Sequence, residues 1–220
     1  MSSPGPDAVK FLHEKGLILV VAAGNDFDAE CKDQIPAMYP EVLCIASTAA
    51  EDGTSACALR EPVLADSASW FTSDGRYKES TGVGVSISAP GERFENFWEG
   101  IKRCVLSSEG VLSLGNDGGT FRTQGTSQAT PHVSGAIALM LQRADELGID
   151  LDTEKTRTFL RETADRKGEA PLDSPLPRGI FGSEIVNPKR DQQFESGTSG
   201  CTSVVGLRDW TPCAAPHLNT

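Results

Sequence analysis

One serine in this chain stands where a serine can do chemistry. Gly125-Thr126-Ser127-Gln128-Ala129-Thr130-Pro131-His132-Val133-Ser134-Gly135 places Ser127 at the head of a segment whose apolar residues, Ala129, Val133, Ala136, Ile137, Met140 and Leu141, recur at helical spacing. The first amides of a helix lack intrahelical acceptors and the helix dipole favours negative charge there. A hydroxyl at that position is suited to attack a carbonyl through an alkoxide-like transition state. Gly125 and Ala129 are small enough to let a substrate backbone approach. An isolated Thr-Ser before a helix is ordinarily only an N-cap; here the surrounding residues carry the stronger reading. A second candidate lies upstream, where Val20-Val21-Ala22-Ala23-Gly24-Asn25 ends an apolar run on a glycine and an asparagine. Asparagine after glycine is commonly a turn residue, but its side-chain amide can also donate to an oxyanion.

The segment from Gly125 to Gly135 resembles the nucleophile motif of the subtilisin-like serine peptidases, G-T-S-x-A-x-P-H-V-x-G, at every specified position. Ala22-Ala23-Gly24-Asn25 resembles the family's oxyanion segment. Ile35-Pro36-Ala37-Met38-Tyr39-Pro40, Ser88-Ala89-Pro90-Gly91 and, less tightly, Arg178 to Asn187 resemble further family segments. The resemblance covers about residues 7 to 190 and implies an α/β, three-layer fold with a mainly parallel sheet, incomplete at its N-terminal side. It implies serine endopeptidase chemistry, with Ser127 as nucleophile and Asn25 as oxyanion donor. Gly125 and Thr126 would border the substrate, Ala23 and Gly24 would wall the specificity pocket, and Asp26 and Gln34 would lie at its rim or base. No cofactor is needed for the chemistry. Structural calcium is compatible with the resemblance, without an assignable site.

A serine needs a base, and the base needs a third group to hold its tautomer. In the subtilisin chain order aspartate and histidine precede the serine. The only histidine before Ser127 is His13, followed by Glu14-Lys15-Gly16 rather than standing in H-G-T-H. His132 belongs to the nucleophile motif and His217 to the tail. No aspartate before Asn25 stands in a D-[ST]-G context; Asp7 precedes Ala8-Val9. The expectation is a truncated chain, inactive alone, whose natural partner besides a peptide substrate is the missing N-terminal half of its own domain. The alternative is a peptide-binding or interaction protein on a degenerate protease fold. An esterase nucleophile elbow, G-x-S-x-G, would need glycine where Ala129 stands.

The elements that must position these residues are legible around them. Asp7 to Lys15 reads as a helix, Leu17 to Ala23 and Val42 to Ser47 as buried parallel strands, and a last helix starts near Asp152 as N-cap. Residues 52 to 119, rich in Gly, Ser and Asp, read as loops around a sheet edge, with Val83 to Ile87 a short strand. The helix bearing Ser127 is expected to be deeply buried. Residues 1–190 form the peptidase part and 191–220 a poorly packed tail. A net charge of −11 over 220 residues argues against nucleic acid, and no apolar run approaches the roughly 20 residues of a membrane span. No signal peptide is visible, and the family resemblance implies an extracellular or secreted full-length form. Six cysteines permit disulfides. Cys201–Cys213 is the favoured local pair, and Cys44, inside an apolar strand, is read as a core residue.

Overall fold

The computed structural model describes residues 5–58, 62–65, 67–99, 101–116 and 118–163. The segment 178–187, the tail 191–220, Cys201, Cys213 and His217 lie outside the described residues.

Helix α1, Pro6–Glu14, carries proline in its first turn, where the missing N–H costs nothing. It ends in a Schellman motif: Leu17 N donates to Leu12 O at 3.2 Å and Gly16 N to His13 O at 2.8 Å. The chain then enters β1, Leu19–Ala22, which pairs in parallel with β2, Val42–Thr48. The expected pair of adjacent parallel strands is therefore present. A one-turn 3-10 helix, Cys31–Asp33, lies on the connection between them.

The region 52–119 is more ordered than its composition suggests. It contains β3 (Thr54–Ser55), β4 (Val85–Pro90), β5 (Phe94–Glu99), β6 (Lys102–Ser107) and β7 (Val111–Leu114), with β8 (Thr120–Thr123) following. Strand β4 adds to the parallel sheet in the order β1-β2-β4. The others form two antiparallel units, β3-β6-β5 and β7-β8. Reading this stretch as loops fails because short strands alternating with polar residues leave little local signal, and their pairing partners supply the stabilisation.

Helix α2, Thr126–Glu146, packs on one face of the parallel sheet. Every residue of β2 is buried, because alternate side chains enter two different cores. Leu43 and Ile45 meet Ala129, Val133, Ile137 and Met140 of α2, with Leu160 of α3 (Thr153–Thr163). Cys44 and Ala46 join Ala23, Cys31, Ala37 and Val85 on the opposite side. Burying a side chain such as Leu43 or Ile45 is worth about 1.5–3 kcal/mol. The expectation of deep burial for α2 holds only for its inner stripe; Leu139 is 60% exposed and Leu141 41%.

Cys44 is not a lone core residue: it is bonded to Cys31, and a second disulfide joins Cys57 to Cys104. The apolar strand hides this because the partner sits in an irregular loop that only the fold brings close.

Helix α3 is fastened through Arg157, which is 2% exposed. Its guanidinium donates to Pro40 O at 2.8 Å and Val42 O at 3.0 Å, pairs with Glu154, and donates to the Tyr77 hydroxyl at 3.2 Å. The Tyr77 ring lies beneath the Arg157 and Arg161 guanidiniums. Its phenol is pushed above the ordinary tyrosine range, chiefly by burial, with Arg157 opposing.

Asp152 caps α3, its carboxylate accepting from Lys155 N at 2.8 Å. That bond, followed by the weaker pull of the Lys155 side chain, holds the carboxyl below the usual aspartate value. A carboxyl depressed on folding stabilises fully above its unfolded pKa of about 3.9 and loses the contribution as pH falls through the lower folded value. Asp152→Ala should therefore cost about 1 kcal/mol at neutral pH, and the difference from wild type should shrink on acidification. Urea unfolding at several pH values checks this; a cost that stays constant down to acid pH would rule out the carboxylate cap as its origin.

Candidate active site

The carboxyl end of β1 and the amino end of α2 meet. Asn25 follows β1 by three residues, and its side-chain Oδ1 accepts from Thr126 N at 2.8 Å and from Thr126 Oγ1 at 2.9 Å. Thr126 is wholly buried, and its Oγ1 also accepts from Gly24 N at 3.3 Å. With Oδ1 facing two donors, the amide cannot be turned over without setting Nδ2 against an N–H. Nδ2 is thus left on the outward side, and Asn25 itself is exposed.

Ser127 is the second residue of α2 and is exposed. Its N–H is one of the first-turn amides with no intrahelical acceptor. Pro131, four residues on, has no N–H to return to the Ser127 carbonyl. The Asn25 side chain, bonded to Thr126, thus meets α2 one residue before Ser127 in sequence.

Backbone contacts hold the loop in place. Gly125 adopts φ 143°, a conformation open to glycine, and its N–H donates to Gly91 O at 2.7 Å. A Cβ on Gly91 would lie 2.4 Å from Ser47 Oγ and 2.6 Å from Gly125 O. Gln124 Oε1 accepts from Phe94 N at 2.8 Å and Arg93 N at 3.1 Å, tying the same loop to the turn between β4 and β5. Neither role is visible in sequence: Gln124 precedes the motif and Gly91 closes the Ser-Ala-Pro-Gly turn without any sign of what it touches.

The other anticipated pocket residues divide. Gln34 is half-buried and packs on Gly24, its Cδ 3.0 Å from where a Cβ would stand. Ala23 is fully buried in the core on the far side of the sheet from α2. Asp26 is exposed; its Oδ1 accepts from Asp28 N at 3.2 Å and its backbone is clasped by Ser73 Oγ. Thr126, anticipated beside the substrate, positions Asn25 through a hydroxyl that is out of solvent and engaged on both sides.

No base stands at Ser127 among the described residues. His132 Nδ1 lies 2.8 Å from the Gln128 carbonyl, on its own helix, and so carries the proton. His13 Nδ1 lies 3.3 Å from Thr153 Oγ1 at the start of α3. For calcium, the cluster of three potential ligands found among the described residues is Cys57, Glu99 and Cys104, two disulfide-bonded sulfurs and one carboxylate, a donor set that does not suit an oxygen-seeking ion. None of the described helices is long and apolar enough to cross a membrane.

A model of the subtilase family matches residues 2–182. Fervidolysin of Fervidobacterium pennivorans is 33% identical over 138 residues, which is 62% of this chain and 17% of that protein. Subtilisin-like protease 3 of Arthroderma benhamiae is 31% identical over 140 residues, 64% of this chain and 25% of that protein. Among solved structures, a cold adapted subtilisin-like serine proteinase superposes with a TM-score of 0.52 at 25% identity, covering 76% of this chain and 46% of that one. Sphericase shares the fold, with a TM-score of 0.50 at 23% identity. The chain spans a quarter or less of these curated relatives and about half of the solved structures.

Gly91→Ala should displace the Gly125 carbonyl or the Ser47 hydroxyl and destabilise the chain by about 1–3 kcal/mol, the usual cost of overpacking. Thermal denaturation beside Gly135→Ala, a helix glycine with open space around it, provides the measurement. Equal melting temperatures for the two variants would show that the close approach at Gly91 is not a constraint.

Proposed function

Because this chain belongs to the subtilase family, we propose that it contributes the nucleophile and an oxyanion donor to a serine endopeptidase. The supporting observation is the Asn25–Thr126 clasp, which sets an amide donor and the α2 amino terminus beside one exposed serine. Ser127 Oγ attacks the scissile carbonyl carbon while its proton passes to an imidazole. The carbonyl oxygen takes the negative charge and is held by Asn25 Nδ2–H and Ser127 N–H. Collapse of the tetrahedral species expels the amine, which leaves with the proton from the imidazole, and water then hydrolyses the acyl-serine. The imidazole and its orienting carboxylate come from outside the described residues, among which His13 and His132 are engaged elsewhere. A substrate side chain would enter beside Gly24 and Gln34. Two disulfides support action in an oxidising compartment, outside the cell or in a secretory lumen. Without its base the same cleft would hold peptides without cutting them, which is the second reading.

The purified chain should release no product from a chromogenic peptide anilide above the level of its Ser127→Ala variant. Robust turnover abolished by that substitution would reveal a base within the chain, and His13 would be the first residue to test. In a completed domain that turns over peptide, Asn25→Leu should lower kcat by about 10²–10³ with KM little changed, the loss seen when one such donor is removed from subtilisin. An unchanged kcat would remove Asn25 from the oxyanion site.

A further inference from the structure

The β3-β6-β5 sheet gathers on one face a set of side chains that the chemistry at Ser127 does not use. Strands β5 and β6 pair with Phe97 opposite Cys104 and Glu99 opposite Lys102. Alternate residues of a strand share a face, so Glu99 and Cys104 are diagonal neighbours on the same side. Cys57 arrives along the other edge of β6, where β3 pairs Ser55 with Leu106 and Ala56 N donates to Val105 O at 2.9 Å. The two Sγ atoms and one carboxylate oxygen of Glu99 all fall within 4.8 Å of one another. Backbone contacts hold this cluster from behind. Cys57 N donates to Ser55 Oγ at 3.1 Å, Ser55 Oγ donates to the Cys57 carbonyl at 3.3 Å, and Glu99 Oε2 accepts from Ala58 N at 2.9 Å. Cys104 is buried beneath Ala49, Val63 and Leu106, whereas Cys57 and Glu99 are only half-buried. The Cys31–Cys44 bond differs on both counts: its cysteines are 0% and 1% exposed, and their packing partners are apolar. A disulfide that only staples a sheet gains nothing from a carboxylate beside it.

We propose that Cys57, Cys104 and Glu99 form a redox-gated site for a zinc-like divalent cation, closed while the disulfide stands and open once it is reduced. This goes beyond the reading of Ser127 and does not rest on it. A dithiol reaches Cys57 without entering the core. It gives up two electrons and two protons and becomes a disulfide; the Cys57–Cys104 bond breaks, and each sulfur takes one electron and one proton. The cation then displaces both thiol protons to water and is held by two thiolates and the Glu99 carboxylate, a donor set suited to zinc. Ligands at zinc's bond lengths stand about 3.6–3.8 Å apart, a spacing that rotation about the Cα–Cβ bonds opens to cysteines whose Cα atoms are 5.1 Å apart. Three protein ligands leave the fourth tetrahedral position to water. Metal and disulfide exclude each other, so the cation favours the reduced form and oxidation ejects it.

The test uses the full chain carrying Cys201→Ser and Cys213→Ser, reduced briefly with a dithiol and desalted without oxygen. Alkylation followed by mass spectrometry should label Cys57 and Cys104 and leave Cys31 bonded to Cys44. Co²⁺ should then bind one to one with thiolate-to-metal charge-transfer absorption, and the unreduced chain should show none. Zn²⁺ added alone to the reduced chain should release about two protons per ion. Glu99→Gln keeps an acceptor for Ala58 N, so its oxidised form should melt together with the parent. Its reduced form should bind Zn²⁺ at least about tenfold more weakly, the loss expected when a metal site is deprived of a supporting group. Opening of Cys31–Cys44 ahead of Cys57–Cys104, or affinity unchanged by Glu99→Gln, would overturn the proposal. So would metal uptake only by a reduced chain that has lost its near-ultraviolet circular dichroism, which would show loose thiols rather than a site.

Discussion

The site depends on one amide oxygen accepting two hydrogen bonds from one buried threonine. Asn25 Oδ1 receives both the N–H and the hydroxyl of Thr126 across 101 positions of sequence. Each such bond contributes a net of about 0.5–1.5 kcal/mol, which is modest as stability. Its weight lies in geometry. The pair fixes which way the amide faces, and it joins the end of a strand to the start of a helix. In the proposed reaction both ends must be held, because Nδ2 and the Ser127 amide have to serve one oxyanion. Preorganised donors act because they need no rearrangement when charge develops, and the bonds from Thr126 hold the Asn25 amide in one orientation.

Everything behind that joint keeps strand and helix in register. Ala129, Val133 and Ile137 lock α2 onto β2 and β4. The close approach of Gly91 to Gly125 sets how far the loop can lift from the sheet. At the opposite end of the core, Arg157 supplies donors to the carbonyls of Pro40 and Val42 as the chain enters β2. A buried cation of this kind is weak evidence for stability. It does specify where α3 docks, since an apolar side chain could not answer two buried carbonyls.

Much of this architecture is legible in the order of residues alone. The apolar runs of β1 and β2 announce strands covered on both faces, the stripe from Ala129 to Met140 announces a packed helix, and Asp152 announces a cap. The residues at the joint also declare themselves by type and order. What local sequence conceals is relational. The β5–β6 hairpin depends on antiparallel pairing that runs from Phe94 with Ser107 to Glu99 with Lys102, so its strands carry little periodicity of their own. Cys44 looks like a core residue because it is one; its bond to Cys31 depends on where an irregular loop returns. The burial of Thr126 and its two bonds to Asn25 are hidden because motif position carries no burial. The outer face of α2 is more exposed than its apolar content suggests, because the apolar stripe is wider than the sheet beneath it.

The two described cross-links carry a consequence for a chain met by a protease. Cys31–Cys44 closes the exposed connection that carries Lys32, Ile35 and Met38, and Cys57–Cys104 closes a span of 47 residues that includes the long connection from β3 to β4. A single backbone cut inside either loop leaves both new ends covalently attached, so the nicked chain stays in one piece and its parts remain at high local concentration. Proteolysis in these two places would break the chain without shedding a fragment.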